Sequence, residues 1–310
     1  MTTRRGFLGL AALGLAGLAR GGEGLARKMT IDLVCGNLGV SADLPTAVDL
    51  AHRHGFESVA PDADHLAKLA DAQLADLLGD LKAKGLTWGA AALPVEFRRD
   101  DEAFRRDMAA LPAFASALQK AGATRVGTWL PPGSDRLTYI ANFRRHADRL
   151  REVAKVLGDH GLRFGLEYVG PKTAWSSSRH PFIHTMAETR ELIAEIGAPG
   201  VGLVLDAWHW YTAGESPEDV KALSNADVIA CDLNDAPRSV PVDQQRDGVR
   251  ELPAATGVID LKGFLSALIA IDYDGPVRAE PFNATLRTLP PEEAVAATAR
   301  AMKRAFALVA

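Results

Sequence analysis

From Thr30 onward, short apolar runs rich in β-branched and aromatic residues alternate with longer stretches whose apolar positions recur every three or four residues. The runs read as strands and the longer stretches as amphipathic helices, and their alternation predicts βα units around a parallel sheet. The strand runs are TIDLVCG (30–36), ESVAP (57–61), LTWGAAA (86–92), TRVGTWL (124–130), LRFGLEYV (162–169), VGLVLD (201–206), DVIACDL (227–233) and PVRAEPF (276–282). Helical patterns such as LPTAVDLAHRHG, DAQLADLLGDLKAKG and FRRHADRLREVAKVLGDHG stop at Gly55, Gly85 and Gly161, residues suited to the left-handed turn past a helix end. SPED at 216–219 offers a Ser cap, a proline at the first helical position and two acids in the first turn. Eight units over residues 30–310 match a (β/α)8 barrel, typically about 250 residues. An open doubly wound sheet is the alternative topology.

In a barrel of this kind the active site forms where strands end and βα loops begin. Strand five ends in Glu167, strand six in Asp206, strand seven in Asp232 and strand eight in Glu280. One such acid commonly caps the next turn. Four on consecutive strands, about 4.8 Å apart, would converge on one mouth and repel one another. A divalent cation would resolve that conflict.

The stretches GLEYVGPKT, GLVLDAWHWYTAG, DLNDAPRS, LPAATGVIDLKGFLSAL and YDGPVRAEPF, in this order, resemble the sugar phosphate isomerase/epimerase family of xylose isomerase-like TIM barrels. The resemblance runs from about Thr30 to the C-terminus. It implies one divalent metal, manganese first with magnesium or cobalt as alternatives, held by Glu, Asp, His and Glu from strands five to eight. Glu167, Asp206 and Glu280 match three of these positions, and Asp232 stands where the family has histidine. Four carboxylates around a divalent ion would leave a more negative site than three, favouring hard cations over zinc. The resemblance also gives His209 and Arg238 the role of binding substrate oxygens. Lys172, His184, Gln244 and Arg250, in or near βα loops, are further hydroxyl-binding candidates, and Trp175 joins the expected substrate contacts. Trp129, Trp208 and Trp210 read first as core residues.

Two glutamates bracketing a hydroxyketone suit proton abstraction beside a carbonyl, with return to the opposite face (epimerisation) or to the adjoining carbon (isomerisation). Glu167 and Glu280 are the expected acid/base pair. β-Elimination from a 3-keto-glycoside would use the same residues, and a non-catalytic sugar-binding barrel is a further alternative. PFNATLRTLPPEE after strand eight has no glycine-rich turn to cradle a phosphate, which favours a free sugar or keto-sugar.

Composition narrows the partners. A formal charge of -4 without a Lys/Arg-rich block in the body of the chain argues against nucleic acid. Residues 1–29 stand apart from the barrel at 30–310: Arg4 and Arg5 precede an apolar run from Phe7 to Ala19, and small residues follow around Gly24 and Ala26. This resembles a twin-arginine export signal, implying the export machinery as a partner and a periplasmic or secreted location. The run is shorter than the roughly 20 residues of a membrane-spanning helix, so no permanent span is expected. Cys35 and Cys231 read as free buried thiols. A homo-oligomer is left open by the sequence.

Overall fold

The computed structural model describes residues 27–310. The export-signal expectation at Arg4, Arg5 and Phe7–Ala19 lies outside the described residues. Eight strand segments form the barrel: β1 (Thr30–Leu33), β2 (Ser58–Val59), β3 (Thr87–Trp88 with Ala91–Ala92), β4 (Arg125–Trp129), β5 (Arg163–Glu167), β6 (Val201–Asp206), β7 (Val228–Leu233) and β8 (Pro276–Ala279). All of their mutual pairings are parallel, and each expected run contains one of them.

Closure depends on the broken third strand. Thr87–Trp88 pairs with β2, whereas Ala91–Ala92 pairs with β4, so the chain steps between neighbours at Gly89 and Ala90. The sheet order then runs from β3 through β2, β1, β8, β7, β6, β5 and β4 back to β3. The open-sheet alternative is therefore set aside. A Cβ on Gly89 would collide with the buried Asp32 carboxylate on β1, so this step admits no side chain. Gly89→Ala is expected to destabilise the fold by about 1–3 kcal/mol through overpacking, read as a lower urea midpoint with an unchanged slope. An unchanged midpoint would show that Asp32 moves aside freely.

The outer layer consists of α1 (Leu44–His54), α2 (Asp71–Ala83), α3 (Asp101–Lys120), α4 (Tyr139–Asp159), α5 (Met186–Ile196), α6 (Pro217–Lys221), α7 (Leu261–Ala270) and α8 (Pro291–Phe306). Gly55, Gly85 and Gly161 take φ of 72°, 68° and 72°, the left-handed conformation expected where helices stop. Ser216 and Asp219 cap α6 reciprocally, although that helix runs only five residues. The large apolar core lies between sheet and helices, with Leu150, Val153, Leu166, Leu205, Phe264 and Val295 all fully buried within it. Ala90, Val204 and Ala230 form a separate small cluster. Cys35 and Cys231 are both free thiols, the latter fully buried. Among the described residues no helix is long and apolar enough to cross a membrane.

Register fixes what meets at the mouth. Asp206 on β6 lies opposite Asp232 on β7, and Asp232 lies opposite Arg278 on β8. Trp129 on β4 lies opposite Glu167 on β5. Glu280 follows β8 directly, two residues beyond Arg278 and hence on the same side of the strand by period-two alternation.

Candidate active site

Glu167, Asp206, His209 and Glu280 do converge. Asp206 closes β6 and caps the short helix Ala207–Thr212, accepting from the Trp208 amide at 2.8 Å. That helix carries His209 one turn on, within 3.6 Å of Asp206 Oδ2 and 3.9 Å of Glu167 Oε1. The Gly170 amide donates to His209 Nδ1 at 3.2 Å and Arg250 Nη2 lies 3.3 Å from Nε2, so a donor faces each ring nitrogen. Gly170 permits this approach, since a Cβ there would strike the His209 carbonyl. Burial, and then Arg250, push the imidazole down to about 3, so it is neutral at physiological pH.

The carboxylates are not left to repel one another. Arg250, 1% exposed, donates through Nη1 to Asp206 Oδ2 at 2.6 Å and Glu280 Oε2 at 3.1 Å, and through Nη2 to Asp247 Oδ1 at 2.7 Å. Arg278 binds Asp232 in a fork, Nε to Oδ1 at 2.6 Å and Nη2 to Oδ2 at 2.8 Å. Asp206 Oδ1 also accepts from Asn234 Nδ2 at 2.7 Å. Glu167 Oε1 is different: it is buried without any hydrogen-bond partner. Burial raises the pKa of Glu167 well above the carboxylate range, reinforced by Glu280. Glu280 is pushed up to about 8 by burial and by Asp232.

Two adjoining cavities open here. One, of about 390 Å³, is lined by Trp129, Val169, His209, Arg250 and Phe282; the other, of about 360 Å³, by Asn37, Arg98, Thr128 and Arg278. Trp129, Glu167 and Glu280 line both. Trp129 is 48% exposed, with the Arg98 guanidinium 4.2 Å from its ring centroid, so it is a cavity wall rather than a core residue. Trp208 and Trp210 are buried as expected.

Other expected contacts fall elsewhere. Arg238 bonds the Thr256 carbonyl and lines neither cavity. Lys172 is half-exposed with Asp243 3.9 Å away, and Trp175 stacks on His184 at 4.7 Å. Gln244 sits beside a separate surface groove. Their βα loops reach the correct end of the barrel, but none of these side chains lines either cavity at the acids.

Glu167, Asp206 and His209 offer one ligand atom each within 4.8 Å of one another, a grouping able to hold a metal ion. The expected four-carboxylate ligand set is nevertheless not available as it stands. Both Asp232 oxygens are engaged by Arg278, Asp206 and Glu280 by Arg250, and Arg250 Nη2 also lies 3.3 Å from His209 Nε2. As arranged, the four carboxylates do not fit a divalent cation, since three of them are held by guanidiniums. Asp232 is accordingly an ion-pair partner of Arg278 and not a free ligand: two opposite charges on facing strand positions satisfy each other.

Comparison with known proteins agrees with this architecture. The chain is 24% identical to an inosose isomerase of Bacillus velezensis over 261 residues, covering 82% of this chain and 89% of that one. A xylose isomerase domain protein from Alicyclobacillus acidocaldarius superposes with a TM-score of 0.78 at 29% identity, over 92% of this chain and 99% of the other. A crystal structure titled as IOLI protein with a binding zinc atom gives 0.73 at 20% identity, over 89% and 98%. The profile of the xylose isomerase-like TIM barrel family matches residues 48–305, and the chain belongs to that family.

Proposed function

We propose that the protein is a sugar isomerase or epimerase acting on a free, unphosphorylated sugar or keto-sugar by abstracting the proton beside its carbonyl. The observation that carries this reading is the pair Glu167 and Glu280, which face the same two cavities with both carboxyl groups raised in pKa. The similarity to an inosose isomerase supports the same kind of chemistry.

The roles follow from the surroundings. Burial disfavours the charged form of both glutamates, with Glu280 adding to it at Glu167 and Asp232 at Glu280, so one carboxyl holds a proton while the other, once ionised, acts as base. The ionised carboxylate removes the α-proton, and the carbonyl becomes an enediolate. The protonated partner then delivers its proton to the opposite face, or to the adjoining carbon while the hydroxyl proton passes from one enediolate oxygen to the other. His209, neutral and lining the cavity, can hydrogen-bond a substrate oxygen. Trp129, Val169 and Phe282 supply apolar wall, and each cavity has room for a monosaccharide. Where the substrate carries a leaving group at the β carbon, the same enolate would eliminate.

Manganese, magnesium or cobalt, the cations expected from the sequence, would have to take Asp206 and Glu280 from Arg250 and Asp232 from Arg278 to gain the four-carboxylate set. No proton-transfer step above requires one. The test is to incubate the protein with a panel of unphosphorylated ketoses and 3-keto-glycosides and follow products by NMR. A stereochemically or positionally rearranged sugar is expected; an unsaturated product would assign elimination instead, and no turnover of any panel member would contradict the reading.

Export is part of the same proposal, resting on Arg4, Arg5 and the apolar run after them. Replacing both arginines with lysine is expected to hold the precursor in the cytoplasm. Unchanged appearance of the protein outside the cytoplasm would overturn it.

A further inference from the structure

The two buried arginines differ in what they have left to give. Arg250 spends its donors on the protein: Nε on the Asp247 carbonyl, Nη1 on Asp206 and Glu280, and Nη2 on Asp247, with His209 Nε2 3.3 Å away. Arg278 spends only one edge. Its Nε and Nη2 grip Asp232, whereas Nη1 makes no hydrogen bond to any described residue and is not among the sealed, unsatisfied atoms. The side chain lines the 360 Å³ cavity together with Glu167 and Glu280 and is 13% exposed there. Neither glutamate forms an ion pair with it.

We infer that Arg278, clamped by Asp232, is the electrophile of this site: its free Nη1 binds the substrate's carbonyl oxygen, and the two guanidiniums hold the mouth's charge without a divalent cation. This rests on the proton-abstraction reading above. A fork between guanidinium and carboxylate fixes the plane and direction of the remaining donor, so that Nη1 is held in place before substrate arrives. Charge developing on the carbonyl oxygen during proton removal would meet a fixed positive donor in a largely desolvated cavity. The two guanidiniums bring +2 to the mouth, the charge that a single divalent cation would bring. The parallel pairing of Asp232 with Arg278 makes the arrangement a property of strand register rather than of a loop.

Two measurements test it on the full chain. Titration of the wild type with Mn²⁺, Mg²⁺, Co²⁺ and Zn²⁺, by calorimetry and thermal unfolding, is expected to show no saturable heat and no rise in Tm. Asp232→His with Arg278→Leu, which removes the fork and offers an imidazole, is expected to gain saturable Mn²⁺ binding. Stoichiometric metal binding to the wild type that raises its Tm would overturn the inference, as would loss of α-hydrogen exchange on chelation with EDTA. The second measurement uses Arg278→Gln alone and together with Asp232→Asn, the double variant avoiding an unpaired buried carboxylate. The folded double variant is expected to lose about 10²-fold or more in α-hydrogen exchange, the scale for removing one preorganised donor. Exchange near the wild-type rate in that variant would also overturn it. If no panel sugar exchanges at all, the proton-abstraction reading fails, and the metal titration still decides whether guanidiniums stand in for the cation.

Discussion

Glu167→Gln and Glu280→Gln are each expected to lower turnover by about 10²-fold or more while leaving the barrel folded, because an amide keeps the shape of the side chain but cannot exchange a proton. The loss should be comparable for both, since one acts as base in the direction where the other acts as acid. Raised pKa values add a pH signature. A base must be ionised to work, so a carboxyl titrating above its usual 4.5 places the acidic limb of kcat/KM above that value, and the rate rises with pH through the limb. In Glu280→Gln that limb should shift downward, because removing the Glu280 charge relieves repulsion that raises Glu167. Near-wild-type turnover in both variants would make the pair structural.

Arg250→Met is expected to cost about 3–5 kcal/mol of stability, the scale for breaking a buried ion pair from one side. The penalty falls chiefly on Asp206, which is fully buried and loses its Nη1 partner, while Asp247 at 38% side-chain exposure regains water. Urea unfolding checks the magnitude. Adding Asp206→Asn to Arg250→Met removes the stranded charge, so the double variant should be less destabilised than the sum of the two single variants. Strict additivity, or a loss below 0.5 kcal/mol for Arg250→Met, would show that water or a rearranged side chain already compensates.

The barrel was legible because its signals are local. Glycines at 55, 85 and 161 end helices by backbone conformation, and short apolar runs ending in acids mark the strand ends. The convergence of Glu167, Asp206 and Glu280 follows from those strand ends alone. What neutralises them does not. Arg250 reaches Asp206 from a loop 44 positions away in the chain, a contact that no spacing predicts. Arg278 was findable: in PVRAEPF it sits two residues before Glu280 and so shares its side of the strand, and a buried arginine beside a strand-end aspartate calls for pairing. Reading the acids without their inward-facing neighbour led to four free metal ligands. The sequence likewise placed Arg238, Lys172 and Trp175 on the correct loops, but loop side chains take their direction from tertiary contacts, here the Thr256 carbonyl, Asp243 and His184.

The most direct test of the account is hydrogen exchange at the carbon beside the carbonyl, followed by NMR or mass spectrometry after incubating accepted sugars with the protein in deuterated water. The account predicts that the wild type incorporates one deuterium at that carbon as it turns over, and that Glu167→Gln and Glu280→Gln are slowed in exchange and in turnover together. Exchange that proceeds undiminished in both variants would contradict it.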